Sequence, residues 1–174
     1  VTLSAGGPAD SPGFLLWHAT LRWQRQITAA LAPLGLTHVQ FVLLACAWWL
    51  GRRGDQPNQQ RLARQAGVDV RMASQVIRTL EGKGLLERQV DPADTRARRL
   101  RLTPAGVTLA ARAVSVVEQV DGGVFGEAAQ DLLSALSRMP ATSGAGRHAP
   151  EVADGTAAAR PPRPAAPPRN MCRA

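Results

Sequence analysis

The tightest constraint on this chain is a four-residue turn, Ala66-Gly67-Val68-Asp69, between two short segments of helical patterning, Gln59–Ala66 and Val70–Lys83. Asn58 and Asp69 stand where N-caps belong, and Gly67 and Gly84 stand where helices stop. Two helices joined by so short a glycine turn form a helix-turn-helix arrangement. In the second helix Ala73, Val76, Ile77 and Leu80 recur at helical spacing and mark a buried stripe. Arg71, Ser74, Gln75 and Arg78 are left on the opposite face.

The flanking sequence supplies the rest of a mainly α body. Ser11-Pro12 is a cap followed by proline at the first helical position, and opens a helix running to about Ala32. Phe14, Leu15, His18, Leu21 and Arg25 lie on one stripe of it. Thr37-His38-Val39-Gln40 has the form of a capping box and opens a second helix to Leu50, closed by Gly51. That helix is apolar nearly all round, Trp48, Trp49 and Cys46 included, which predicts a central, buried position. After the helix-turn-helix the period changes. Leu85–Val90 and Ala97–Thr103 read as strands around the turn-rich tip Asp91–Arg96. Thr103-Pro104 opens a fifth helix to about Val124, broken near Gly122-Gly123 or Gly126. A sixth, Glu127 to Met139, carries Leu132, Leu133, Leu136 and Met139 on one side.

Charge adds a function class. The 174 residues carry 21 basic and 13 acidic side chains, a net +8, and a single one of the basic residues, Lys83, is lysine. Between Arg52 and Arg101 there are 12 basic and 6 acidic residues, so most of the excess sits in the helix-turn-helix and the ribbon. Genome composition spreads arginine evenly and does not account for that placement. Arginine forks onto guanine and phosphate, glutamine pairs with adenine, and serine serves either, so the exposed face of the fourth helix suits a DNA major groove. Asn58 and Gln59, at the start of the third helix, join this DNA-facing set. Arg96, Arg98 and Arg99 sit at or beside the ribbon tip, where a projecting arginine can enter the narrow, negative minor groove. Asp94, two residues before Arg96, is placed to orient it by a salt bridge.

Residues 1–10 are rich in Gly, Ala and Pro and read as a flexible N-terminus, and residues 11–139 as the folded body. The tail 140–174 holds seven of the 13 prolines, five arginines and two acids, and reads as disordered. Cys46 and Cys172 make no disulfide framework, Cys46 reading as a buried thiol. The best apolar run, Val39–Leu50, is too short to span a membrane, and the start lacks a secretory pattern. These features predict a cytoplasmic protein. His18, His38 and His148 are widely spaced, and no nucleophile elbow, phosphate-cradling loop or metal-ligand spacing occurs. Neither enzyme, cofactor nor metal is expected.

The order of elements, with these residues, resembles the MarR family of bacterial winged-helix transcription regulators. The likeness covers about Ser11–Met139 and is most specific from Gly67 to Gly106: Leu80–Arg88 reads L-E-G-K-G-L-L-E-R, Asp91–Ala97 reads D-P-A-D-T-R-A, and Leu102–Gly106 reads L-T-P-A-G. The resemblance implies a winged helix-turn-helix of four helices and a β-hairpin wing, with N- and C-terminal helices forming a dimerisation region. Val70–Lys83 would be the recognition helix, and Arg96 the wing-tip arginine, with Asp94 as its partner. A homodimer would read a pseudo-palindromic double-stranded operator, acting as a repressor relieved by a small aromatic or phenolic effector. For that ligand Trp17, His18, Arg22, His38 and Trp48 are the candidate residues. The competing reading is a winged helix used for protein interaction or dimerisation without sequence-specific DNA binding; a third is the helical dimerisation part of an enzyme.

Overall fold

A computed structural model describes residues 7–91, 95–96 and 98–139. Asp94, His148, Cys172, most of the N-terminal segment and the whole 140–174 tail lie outside the described residues.

Every α-helix but the last begins at a side chain that satisfies its first free amides. Ser11 accepts from the Phe14 amide at 3.4 Å and opens α1, Pro12–Leu31. A 3-10 turn, Ala32–Leu34, extends α1 to Gly35, whose φ of +65° lets the chain reverse. The capping box forms: the Gln40 amide donates to Thr37 Oγ1 and the Thr37 amide to Gln40 Oε1, both at 3.3 Å, at the head of α2, His38–Arg52. Asn58 accepts from the Arg61 amide at 2.9 Å to start α3, Gln59–Ala66, and Gly67 closes it at φ +66°. Asp69 accepts from the amides of Arg71 and Met72, at 2.7 and 3.3 Å, to start α4, Val70–Gly82. Strands β1, Leu86–Val90, and β2, Arg98–Leu102, pair antiparallel in the register Leu86↔Leu102 to Val90↔Arg98. Thr103 then opens α5, Pro104–Phe125, and a 3-10 turn, Gly126–Ala128, leads into α6, Ala129–Ser137.

The core gathers on α2, which packs against α1, α3, α4, α5 and β2. Leu43, Leu44, Ala47 and Leu50 bury there with Leu62 of α3, Ile77 and Leu80 of α4, Leu100 of β2 and Ala110 of α5. Pro57 is fully buried, and its carbonyl accepts from the Leu100 amide at 2.9 Å, which ties the loop before α3 to the ribbon.

The root of the ribbon is the most constrained point. The Thr103 hydroxyl donates to the Gly84 carbonyl at 2.7 Å and accepts from the Gly106 amide at 3.0 Å. Gly106 there lies against the Leu85 backbone: a Cβ added to it would stand 1.9 Å from the Leu85 carbonyl oxygen. The run L-T-P-A-G is therefore a packing joint between the end of α4 and the start of α5.

Two expectations, both on α2, are corrected, and others are resolved in detail. On α1 the buried residues are Ile27 and Leu31; Phe14, Leu15, Leu16 and Trp17 remain 43–60% exposed, because α1 meets the rest of its own chain with only part of its length. Trp49 is 46% exposed with the Arg53 guanidinium 4.6 Å from its ring centre, so α2 is not buried all round. Cys46 is half-buried. Gly122-Gly123 continue α5, and the break falls at Gly126. Leu133, Leu136 and Met139 near the chain's described end are exposed. No single helix among the described residues is long and apolar enough to cross a membrane.

Candidate nucleic-acid interface

Helix α4 separates its two faces as the pattern predicts. Ala73, Val76, Ile77 and Leu80 are buried, while Arg71, Gln75 and Arg78 are exposed and Ser74 is half-buried. Arg78 Nε donates to the Ser74 carbonyl at 3.3 Å, which holds the guanidinium along the helix. Sequence reasoning missed Val70 and Met72, 44% and 49% exposed in the first turn of α4. An apolar side chain beside Arg and Gln suits a thymine methyl. The available signal was that both break the amphipathic pattern.

The residues around α4 have divided tasks. The Asn58 carboxamide oxygen is occupied in capping α3, next to half-buried Gln59. Arg61 makes a two-point pair with Asp55, Nη1 to Oδ1 at 2.7 Å and Nη2 to Oδ2. On β1, Arg88 reaches back to Glu81 of α4 at 2.9 Å.

Among the described residues of the wing, Asp91 organises an arginine. Its Oδ2 lies 2.7 Å from Arg99 Nε, and this contact, seconded by the charge of Asp55, raises the Arg99 guanidinium's pKa further. The strand register explains the pair: Arg99 stands opposite Gln89, two residues from Asp91. The expected Asp94–Arg96 bridge lies outside the described residues on its acidic side. Arg98 Nη1 donates to the Thr95 carbonyl at 3.0 Å, and Arg96 and Arg98 are both exposed.

The five ligand candidates are not gathered in one cavity. His18 packs against Phe14 with its ring tilted by 55° and ring centres 4.3 Å apart, on the exposed half of α1 that also carries Trp17 and Arg22. His38 packs edge-on to Trp23 at 5.1 Å. Trp48 lies under the Arg52 guanidinium, 4.8 Å from its ring centre. It lines a cavity of about 510 Å³ with Arg52, Arg101, Leu102 and Val107. A second, mainly apolar cavity of about 490 Å³ lies between α1, α5 and α6, lined by Leu16, Trp23, Phe125 and Leu132. Trp23 was not foreseen. Its indole N–H donates to Asp121 Oδ1 at 2.7 Å, a contact across 98 residues with no local signal in the sequence.

Burial pushes the His38 imidazolium's pKa down, and the carboxylate of Asp121 opposes this more weakly. The folded state therefore binds fewer protons than the unfolded chain, whose histidine titrates near pH 6.5. Stability from this group is complete above pH 6.5 and is lost as pH falls through the lowered value. Thermal melts at pH 7.5 and pH 5.5 are expected to show a smaller acid-induced drop in His38→Gln than in the parent. An equal drop would mean the imidazole titrates alike in both states.

Comparison with known proteins places this architecture. The family model described as the MarR family matches residues 36–98, from the head of α2 into the wing. The uncharacterised HTH-type transcriptional regulator YdcH of Bacillus subtilis is 42% identical over 135 residues, which cover 76% of this chain and 92% of that protein. Among solved structures, the transcriptional repressor CouR bound to a 23-mer DNA duplex superposes with a TM-score of 0.65 at 30% identity, over 79% of this chain and 97% of that one. BpsR of Bordetella bronchiseptica, in a structure on the regulation of its DNA binding by 6-hydroxynicotinic acid, gives 0.66 at 28% identity, over 78% and 96%. With a helix-turn-helix, a basic wing and these relatives in place, the chain belongs to the MarR family of winged helix-turn-helix, DNA-binding transcription regulators.

Proposed function

We propose that the protein is a cytoplasmic homodimeric repressor that occupies a pseudo-palindromic operator and is released by a small aromatic or phenolic acid. The observation that carries the reading is α4 itself: four buried apolar residues on one face fix the helix, and Arg71, Gln75 and Arg78 stand clear on the other. Ser74, Asn58, Gln59, Arg96, Arg98 and Arg99 complete the DNA-facing set. Pairing is supported by the apolar residues of α1 and α6 that their own chain leaves uncovered. Two recognition helices related by a two-fold axis read half-sites one DNA turn apart. Repression is supported by the likeness to the transcriptional repressor CouR, and effector control by the likeness to BpsR, whose DNA binding is regulated by 6-hydroxynicotinic acid. For the effector, the cavity beside Trp48 offers a flat aromatic wall and the cations Arg52 and Arg101. Residues 11–139 carry this activity, and the basic tail adds nonspecific attraction to the polyanion.

The test is fluorescence anisotropy on DNA from the protein's own upstream region beside a scrambled duplex, across a salt series. Tight binding to the native fragment alone, two chains per site, is expected, with a log–log salt slope of about 0.9 per phosphate contact. Arg96→Ala weakens binding to most sequences, whereas Arg71→Ala and Gln75→Ala change which sequence is preferred, each by about 1–3 kcal/mol. Equal loss on specific and scrambled DNA in all three variants overturns the recognition-helix assignment. Equal, weak, steeply salt-dependent binding to both duplexes would favour a winged helix that serves a protein partner.

A further inference from the structure

We propose that Lys83 is a positioning residue that sets the separation at which the two recognition helices are held, and so the half-site spacing the protein prefers. This rests on the dimer reading above.

Lys83 is the sole lysine of the chain and the C-cap residue of α4. Its Nζ donates to the Gly35 carbonyl at 2.6 Å and to Gln40 Oε1 at 3.0 Å, groups 48 and 43 residues away. Gly35 is the left-handed corner at which the chain leaves α1, and Gln40 is the capping-box residue at the head of α2. One ammonium thus joins the end of the recognition helix to the corner where the long first helix meets the core. Helix α4 otherwise packs chiefly on α2, α3 and β1, so this link is its hydrogen-bonded connection to the turn that ends α1.

The choice of lysine follows from the geometry. A compact ammonium directs three donors from one point, whereas a guanidinium presents a flat fork. The cation also stands at two carboxyl-terminal ends, those of α4 and of the Ala32–Leu34 turn, where exposed carbonyls favour positive charge. The base-reading face lies toward the other end of α4, around Arg71 and Gln75, so Lys83 acts on the helix rather than on the bases.

The consequence is specific. With the link intact, each recognition helix holds one angle to the helices that pair. Without it, each half can still read its half-site, but the separation between the two is less sharply defined.

The experiment uses the full chain and a duplex obtained by repeated binding selection with the wild type. One or two base pairs are then inserted or removed at its centre, and single half-site duplexes serve as controls. Lys83→Met is expected to shrink the affinity ratio between native and altered spacing by about tenfold, the scale of a lost charge-assisted hydrogen bond. Half-site affinity stays within about twofold, and Lys83→Arg restores part of the ratio. Gln40→Ala, which removes one acceptor, shifts the ratio in the same direction and serves if Lys83→Met melts below the assay temperature. An unchanged ratio in folded Lys83→Met or Gln40→Ala overturns the inference. So does equal loss at every spacing and on half-sites, which would make Lys83 a simple phosphate contact. A wild type that binds one chain per site with no spacing preference overturns the dimer reading, and this inference with it.

Discussion

Gly106→Ala is expected to destabilise the protein by about 3 kcal/mol, although it replaces a glycine near the start of a helix with the best helix former. Propensity alone favours the change by at most about 1 kcal/mol. The added methyl would stand 1.9 Å from the Leu85 carbonyl oxygen and 2.9 Å from its carbon. An alanine Cβ has no rotamer to change and the atoms it meets are backbone, so no side-chain movement relieves the contact. Leu85 is held as well: its carbonyl accepts from the Thr103 amide at 3.2 Å and its amide donates to the Leu80 carbonyl at 3.0 Å. At this size the loss lowers the melting temperature by about 10 °C. Gly123→Ala, in the same helix with nothing within 4 Å, is expected to move the other way, by about 0.5–1 kcal/mol. If both substitutions shift the melt in the same direction, the joint at Gly106 is not the close contact described.

The second large effect is Leu80→Ala, expected to destabilise by about 3 kcal/mol in urea titration. Leu80 is fully buried in the core and lies in the last turn of α4. The deletion leaves a void between α4 and the core, and α4 carries the face that would read DNA. Thr79→Ala, its exposed neighbour, is expected to stay within about 0.5 kcal/mol. Comparable midpoints for the two would mean that α4 is not anchored by its apolar stripe.

The elements legible in the sequence were those set by local chemistry. The side chains of Asn58, Asp69, Thr37 and Thr103 each accept from an amide two or three residues on, so cap and helix start are read from one short window. Helix α3 has the expected bounds, β1 starts one residue later than expected and β2 ends one residue earlier. What periodicity cannot say is whether an apolar stripe finds its partner in the same chain. That is why the leading half of α1 and the face of α6 came out exposed. At the candidate interface, the polar face of α4 was readable because its apolar face was. The Asp91–Arg99 pair was not, since strand register rather than nearness in sequence brings the two together. Trp23 and Asp121 lie on different helices, and tertiary packing alone makes them neighbours.

The uncovered ridge of α1 has a consequence for gene dosage. If two chains must meet before either reads DNA, promoter occupancy at low abundance rises with the square of copy number. A cell halving its supply of the protein would then lose about three-quarters of its bound operator. Burying Phe14, Leu15, Leu16 and Trp17 in the pair would set the abundance at which that threshold falls. Trimming this ridge would therefore shift the dose at which the gene switches while leaving the recognised sequence the same.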